Sequence, residues 1–420
     1  MKFTIRSTPH KINRGYTSML SGNINTANLT LLVLVTYSIF MAGFFFIPNA
    51  VDQYKFYIAA VFLPGLFLLP KIEYVLRKNR LWIAILVYLG YMLCSSFWSY
   101  EFSIATLWYD LRLVLYILAF LMITVTIDLE HGDRIDSILK FTCICSAIAA
   151  IISIPLWYKT NPFPDSRLIG IGTLENPNPS SFVYGFFSVL SFYYALQSKN
   201  TLHKAALLLC TSILLMFVLF TQSRTGIVAT LVSQLLLIVS YLRDKRVIYG
   251  ISAIVGAAFI FYLLASPGVL SRLIDISFPQ RIHIWEHALD LIAAAPVFGS
   301  GYQTEFLAHI PNSTTVFATA HNTFLATARD GGLVGLGLQL LVITFAFRAG
   351  LRALVFNNNP IYLVLLLFGL LCMLTATDRM ITRPRELWII FWLPLALLIA
   401  RETCRTADKL TKRPSPHNPP

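Results

Sequence analysis

The stretch Ala205-Ala-Leu-Leu-Leu-Cys-Thr-Ser-Ile-Leu-Leu-Met-Phe-Val-Leu-Phe-Thr-Gln-Ser-Arg224-Thr-Gly226 decides the fold class. From Ala205 to Ser223 it carries no charge, and its apolar residues form a block, with neither the alternation of a strand nor the single stripe of a soluble helix. About 20 such residues cross the hydrocarbon layer of a bilayer as a helix. Working outward, blocks of the same kind recur near 29–47, 54–70, 81–97, 107–127, 138–157, 180–196, 203–221, 225–242, 247–265, 333–350, 361–377 and 386–400. The chain therefore reads as an all-α polytopic membrane protein of about twelve transmembrane helices.

The composition of the 420 residues agrees: 56% are hydrophobic, only 13% are charged and the mean hydropathy is +0.68, whereas a soluble domain carries about 25% charged residues. Disorder, coiled coil, collagen and a disulfide scaffold are excluded, because each needs a polar, heptad, glycine-periodic or cysteine-dense chain. Cys94, Cys143, Cys145, Cys210 and Cys372 lie inside apolar blocks and only Cys404 lies outside one; Cys143-x-Cys145 has neither zinc nor redox spacing. The net charge of +13 does not point to nucleic acid, since the Lys and Arg residues are scattered at block ends, where they orient a membrane protein. Residues 1–28 hold Lys2, Arg6, Lys11 and Arg14 without the apolar core or cleavage site of a signal peptide, and read as a cytoplasmic tail.

Twelve crossings put both termini on one side. That side collects 22 Lys and Arg residues and the other only 10, which makes the termini cytoplasmic. The domain reading is a cytoplasmic tail (1–28), spans one to nine (29–265), an outer loop (266–332), spans ten to twelve (333–400) and a second cytoplasmic tail (401–420). The ten exceptions matter, because insertion disfavours translocated arginine and something must retain it. Seven of them fall in the 221–225 turn, the 266–332 segment and the 378–385 loop. Only 158–179 and 266–332 are long enough to hold structure outside the bilayer, and both are outer. Asp110 and Arg112, in or near the fourth span, are expected to pair within the bundle. Tyr and Trp residues are expected to form interfacial belts.

Within the long loop, Arg281-Ile-His-Ile-Trp-Glu-His-Ala-Leu-Asp-Leu-Ile292 sets Ile284, Ala288, Leu291 and Ile292 on one stripe, and Pro296 and Gly299 end the run. The pattern predicts a short amphipathic helix against the membrane surface or over a cavity. Gly299-Ser-Gly301 breaks it, a polar stretch leads to His321-Asn-Thr-Phe-Leu325, and the next span is expected to open after Arg329-Asp330-Gly331-Gly332.

Together these motifs resemble the O-antigen ligase and polymerase superfamily: Thr221-Gln-Ser-Arg224-Thr-Gly at a span end, Arg281-x3-Trp285-x2-Ala288-Leu289 followed by Pro296-x2-Gly299-x-Gly301, and His321-Asn322-x2-Leu325 with Gly331-Gly332-x2-Gly335. They occur in that family's order and spacing over about 180–340. Gly172-Thr-Leu-Glu-Asn176-Pro-Asn178 is similar to a further segment of the family, and Asp378 matches an acidic position of its ligases. The resemblance implies an inner-membrane glycosyltransferase with a periplasmic active site. It would join O-antigen polysaccharide from undecaprenyl diphosphate to lipid A-core in lipopolysaccharide assembly. Alternatives are an O-antigen polymerase with the same donor, a protein O-glycosylating ligase, and a lipid-linked glycan transporter. The modest charge of 158–179, with only Lys159 and Arg167, favours a ligase over a polymerase, and charge confined to the surfaces disfavours a transporter.

The residue types suit that reaction. Breaking a glycosyl–diphosphate bond builds negative charge on the leaving oxygens, and arginines, always charged and forked to fit phosphate, stabilise it; Arg224 and Arg281 are the candidates. The acceptor hydroxyl must lose a proton, which a neutral imidazole takes, and His321 is the candidate base, kept neutral by neighbouring arginines. Asp378, Arg329, Arg379, Asn176, Asn178 and Trp285 are secondary candidates. Arg383 and Arg385 read as ligands of lipid phosphate. His283-x-x-Glu286-His287 has an inverted zinc-protease spacing, but a catalytic zinc needs a third protein ligand and only Glu305 is near. There is neither a P-loop nor an Asp-x-Asp pair, so the reaction is expected to need no metal and no cofactor and to invert the anomeric centre. The expected partners are the lipid-linked donor, the lipid A-core acceptor and membrane lipids.

Overall fold

The computed structural model describes residues 24–68, 76–130, 132–241, 278–309, 316–375 and 377–411. The described residues are mostly helical. Helix α1 (Ile24–Phe46) is followed by α2, which runs Ala50–Phe56, loosens into a π-helical Tyr57–Phe62 and closes as Leu63–Leu66. Then come α3 (Arg80–Ser95, tightening into Ser96–Trp98), α4 (Ile104–Glu130), α5 (Gly132–Tyr158), α6 (Pro177–Gln197), α7 (Thr201–Phe220) and α8 (Arg224–Tyr241). Beyond them lie α9 (Phe278–Ala294), a two-residue antiparallel pairing of β1 (Ala308–His309) with β2 (Val316–Phe317), α10 (Thr323–Asn357), α11 (Ile361–Met373) and α12 (Leu393–Thr411, entered through a π-helical Trp388–Trp392).

Among the described residues seven helices are long and apolar enough to cross a membrane: α1, α3, α4, α5, α7, α8 and α10. The expected spans 54–70, 180–196, 361–377 and 386–400 also coincide with helices, namely α2, α6, α11 and α12. The expected ninth span at 247–265 lies outside the described residues. Starts are set by chemistry that sequence shows plainly: α2, α3, α6, α7 and α10 each begin on an asparagine whose side-chain oxygen accepts a backbone N–H two or three residues on. This satisfies N–H groups that the helix itself cannot pair.

Helix α6 is the centre of the bundle, buried from Pro179 to Leu190 without interruption, as a helix packed on all sides must be. It packs against α5, α7, α8 and α11, and small residues let the backbones close in. A Cβ on Gly226 would fall 2.2 Å from Ser181 Oγ, and one on Gly185 2.4 Å from Thr230 Oγ1. Ser188 and Ser191 donate across to Thr211 O and Leu207 O of α7.

Connections sort to two ends of the bundle. At one end Thr173 N–H bonds Phe44 O, Arg167 bonds Thr221 O, Ser99 bonds Thr304, and Tyr302 bonds Ile381 O. At the other, Asn79 bonds Thr403, Arg352 pairs with Glu402, Arg401 with Asp128, and Gln197 bonds Tyr241. The two sets are the loops that alternate along the sequence.

Several expectations change. Asp110 and Arg112 do not pair: two positions apart on a helix they point to different sides. Buried Asp110 instead accepts Gln303 Nε2 at 2.7 Å, while Arg112 bonds Trp108 O. The aromatics are not chiefly belts, because Trp388, Trp392, Tyr37, Tyr57 and Tyr88 are core residues, and Trp388 packs its ring on Phe40, Tyr57 and Phe120. Arg383 is held inside by the Tyr109 hydroxyl and the rings of Tyr54 and Tyr109, whereas Arg385 remains half exposed beside Glu386. Finally, α10 starts at Thr323, ten residues ahead of the expected 333. Gly332 does interrupt it, with φ 64 and ψ −165, a conformation open in practice only to glycine.

Candidate active site

That interruption organises the site. Stopping a helix frees carbonyls behind the break and N–H groups ahead of it, and all must find partners. The segment Pro296–Gly301 supplies them: Ser300 and Gly301 N–H bond Arg329 O and Asp330 O (both 2.9 Å), while Leu333 and Val334 N–H bond Pro296 O (2.8 Å) and Val297 O (3.2 Å). Backbone meets backbone here, so side chains are barred. A Cβ on Gly332 would lie 2.2 Å from Val297 O, and one on Gly299 2.4 Å from Gly332 N. One glycine of each motif, Gly299 and Gly332, is thus explained by one docking, while Gly301 is set against Ser99 and Gly331 and Gly335 against Tyr91 and Met92.

Below it sits a buried charge cluster. Asp330 is 1% exposed and accepts Arg329 Nε at 2.6 Å on one oxygen and Arg379 Nε at 2.9 Å on the other. Arg379 spends its remaining donors on Gln303 Oε1 (3.3 Å) and Thr304 O (2.6 Å). Arg329, also 1% exposed, lies over the Phe306 ring, 4.8 Å from its centroid. These two secondary candidates therefore brace the loop that follows α9. Asp330 and Gln303, which fix them, were not singled out from the sequence; the signal for Asp330 was a carboxylate bordering an apolar block.

Helix α9 covers this frame. Ile284 and Ala288 are buried against Phe306, Ala308 and Ala320, with Leu291 packed at the edge, the stripe expected from its pattern. Trp285 donates its indole N–H to Ala320 O at 3.1 Å. The Ala320 backbone amide also lowers the Asp378 carboxyl, which places Asp378 near the residue before His321. Thr323 and Thr377 join hydroxyls next to it, and Asn322 caps α10. His321 itself has φ 50, a left-handed backbone uncommon outside glycine, though asparagine, aspartate and histidine adopt it more readily than other residues. Thr319 Oγ1 lies 3.2 Å from its Nε2.

Electrostatics link the three leading candidates, Arg224, Arg281 and His321, with the secondary candidate Asp378. The His321 imidazole titrates below its ordinary value because it is buried and because the Arg281 guanidinium repels a second charge; the Asp378 carboxylate opposes this. Arg281 is pushed below the usual guanidinium value by burial and by Arg224. Asp378 is raised by burial against the pull of Arg329 and Arg379. Arg224 is the first residue of α8, and Arg281 lies in the first turn of α9, so each guanidinium sits at the positive end of a helix. Arg281 forms no ion pair with a carboxylate among the described residues.

Asn176 and Asn178 do different work. Asn176 caps α6, and Asn178 accepts Arg167 Nη2 at 2.7 Å while Arg167 Nε reaches Thr221 O, which fixes the turn before Arg224. The rival motif resolves into a His283–Glu286 pair at 3.2 Å, with His287 against the Phe306 ring. Among the described residues no group of three His, Cys, Asp or Glu is placed to hold a metal.

The fold and this grouping can be set beside known proteins. A family model described as O-antigen ligase matches residues 209–340, which span Arg224, Arg281 and His321. A protein of Pseudomonas aeruginosa named O-antigen ligase is 30% identical over 368 residues, covering 86% of this chain and 88% of the relative. The chain belongs to the O-antigen ligase family. The resemblance read from the motifs is borne out, and for a member of this family the matched region is the part that carries the two arginines, the amphipathic helix and the glycine docking. Asn176, Asn178, Asp378 and Arg379 lie beyond the 209–340 match.

Proposed function

We propose that this membrane protein transfers O-antigen polysaccharide from undecaprenyl diphosphate to lipid A-core, at the outer face of the bacterial inner membrane. The observation that carries the reading is Arg281 at the start of α9, in no ion pair with a carboxylate among the described residues and within electrostatic reach of both Arg224 and His321. Such a guanidinium suits an anion, and a diphosphate fits forked guanidiniums at helix N-termini. The acceptor hydroxyl attacks the anomeric carbon, His321 takes its proton, and the glycosyl–oxygen bond breaks with its electrons passing to the diphosphate. Arg224 and Arg281 stabilise that leaving charge. Asp378 orients the His321 segment and tunes its basicity. A single displacement of this kind inverts the anomeric centre.

In this reading the bundle has twelve spans, 266–332 is the periplasmic loop, and the termini are cytoplasmic. The charge split and the two sets of loops support it. The decisive test incubates purified protein with lipid-linked glycan and lipid A-core and separates products by size. Ligation gives acceptor carrying one transferred glycan; lengthening of the lipid-linked glycan without acceptor would make the protein a polymerase.

A further inference from the structure

We propose that the end of the bundle opposite the candidate active site binds the phosphate headgroup of an anionic phospholipid. A cavity of about 220 Å³ opens there between α3, α10 and α12, lined by Lys78, Arg80, Phe345, Arg348, Arg352 and Glu402 among others. Among the described residues four cations line it with one carboxylate. That carboxylate is engaged by Arg352, whose Nη1 donates to both Glu402 oxygens at 2.9 and 3.0 Å, so the described lining carries a net positive charge.

The cavity is preformed. Asn79, buried between Lys78 and Arg80, caps α3 with its side-chain oxygen and donates its amide N–H groups to Ile399 O and Thr403 Oγ1, both at 3.1 Å. This ties the segment carrying Lys78 and Arg80 to α12, and the Arg352–Glu402 pair ties α10 to the same helix. Little ordering is left for a ligand to impose.

A free phosphate would use the cavity alone, but the surroundings continue it as lipid surface. Ile83 and Val87 follow Arg80 by three and seven residues on α3, and Leu341 precedes Arg348 by seven on α10; all three are exposed, at 44%, 49% and 41%. These positions share the helix faces of the two arginines and run from them toward the middle of the bundle. Cations above an apolar track are the arrangement that takes a headgroup with its acyl chains, and among the described lining residues the one carboxylate is already engaged by Arg352, which disfavours a choline headgroup. The occupied end is the one with the greater Lys and Arg content, which the proposed topology makes cytoplasmic; the binding itself does not depend on the proposed reaction.

The test titrates purified full-length protein in neutral detergent with tail-labelled phosphatidylglycerol, phosphatidylcholine of the same tails, and inorganic phosphate as competitor. Phosphatidylglycerol should bind at least about tenfold tighter than phosphatidylcholine. The Arg80→Gln/Arg348→Gln variant should lose about 30-fold, equivalent to about 1 kcal/mol for each cation removed. Arg80→Lys/Arg348→Lys should restore most of it. Arg134→Gln/Lys199→Gln, an equal charge change at exposed sites of the same end, should leave binding within about threefold. Equal losses in the two glutamine variants, no loss in either, or inorganic phosphate binding as tightly as the lipid would each overturn the proposal.

Discussion

Replacing Gly332 by alanine tests whether the break in α10 holds the site together. The backbone there has φ 64 and ψ −165, and forcing a residue with a Cβ into such a conformation costs about 1–3 kcal/mol. The added carbon would also sit 2.2 Å from Val297 O, and relieving that contact pulls Pro296–Val297 away from Leu333 and Val334. Two backbone hydrogen bonds are then lost, at about 1 kcal/mol each. The sum is about 3–5 kcal/mol, and the segment displaced links Arg281's helix to that of His321. Gly337, five residues on, provides the control: a Cβ there meets nothing within 4 Å, so alanine should be neutral or stabilise the helix by up to about 1 kcal/mol. Equilibrium unfolding in mixed micelles reads the stability, and transfer of glycan to acceptor reads the site. Gly332→Ala should lower both sharply and Gly337→Ala neither. A Gly332→Ala protein within about 1 kcal/mol of wild type and fully active would refute the docking as the element that positions the site.

If the diphosphate needs the guanidinium fork and not merely positive charge, Arg224→Lys and Arg281→Lys should each lower ligation by about 10²-fold while the protein inserts and accumulates normally; near-normal ligation in both would make them headgroup anchors. His321→Ala should cost on the order of 10²-fold or more with donor binding retained. By contrast His283→Ala with His287→Ala should be mild and a strong chelator without effect, and activity lost to chelator but restored by zinc would refute the scheme. The acid limb of the rate profile should lie below the ordinary histidine range, because the base works only when neutral and its pKa is lowered. Asp378 opposes that lowering, so Asp378→Asn should move the limb to still lower pH, and a move upward would contradict the arrangement.

Much of the bundle was legible because a bilayer imposes its rule locally: each crossing must satisfy its own backbone and be apolar for its whole length. Eleven of the expected spans coincide with helices for that reason. The start of α10 was missed because Gly331-Gly332 reads as a terminator, and locally it is one. The helix resumes only because Pro296 and Val297, some 35 residues upstream in sequence, accept the freed N–H groups, a pairing no local pattern contains. Trp388 and Trp392 were misplaced for a similar reason: an indole suits an interface or a packed core equally well, and its N–H finds Thr382 O or Met380 O only once the chain has folded.

The arginines mark where sequence reasoning about the site runs out and geometry takes over. Each arginine that the charge pattern assigns to the disfavoured side must be retained by something, and the pattern alone says neither whether that is protein nor whether it is substrate. Arg379 is answered by Asp330, Gln303 and Thr304, and Arg383 by Tyr109 and Tyr54. Their charges are spent on the fold. Arg281 is lowered by burial and by another arginine, and among the described residues it forms no ion pair with a carboxylate. In the proposed scheme its compensation is the donor's diphosphate, and His321, lowered by burial and by Arg281, is the base beside it. If that scheme holds, clamp and base act as one electrostatic device: the Arg281 charge that would hold the diphosphate also lowers the imidazole, and binding of the anion would ease that effect and raise the basicity of His321 as the donor arrives.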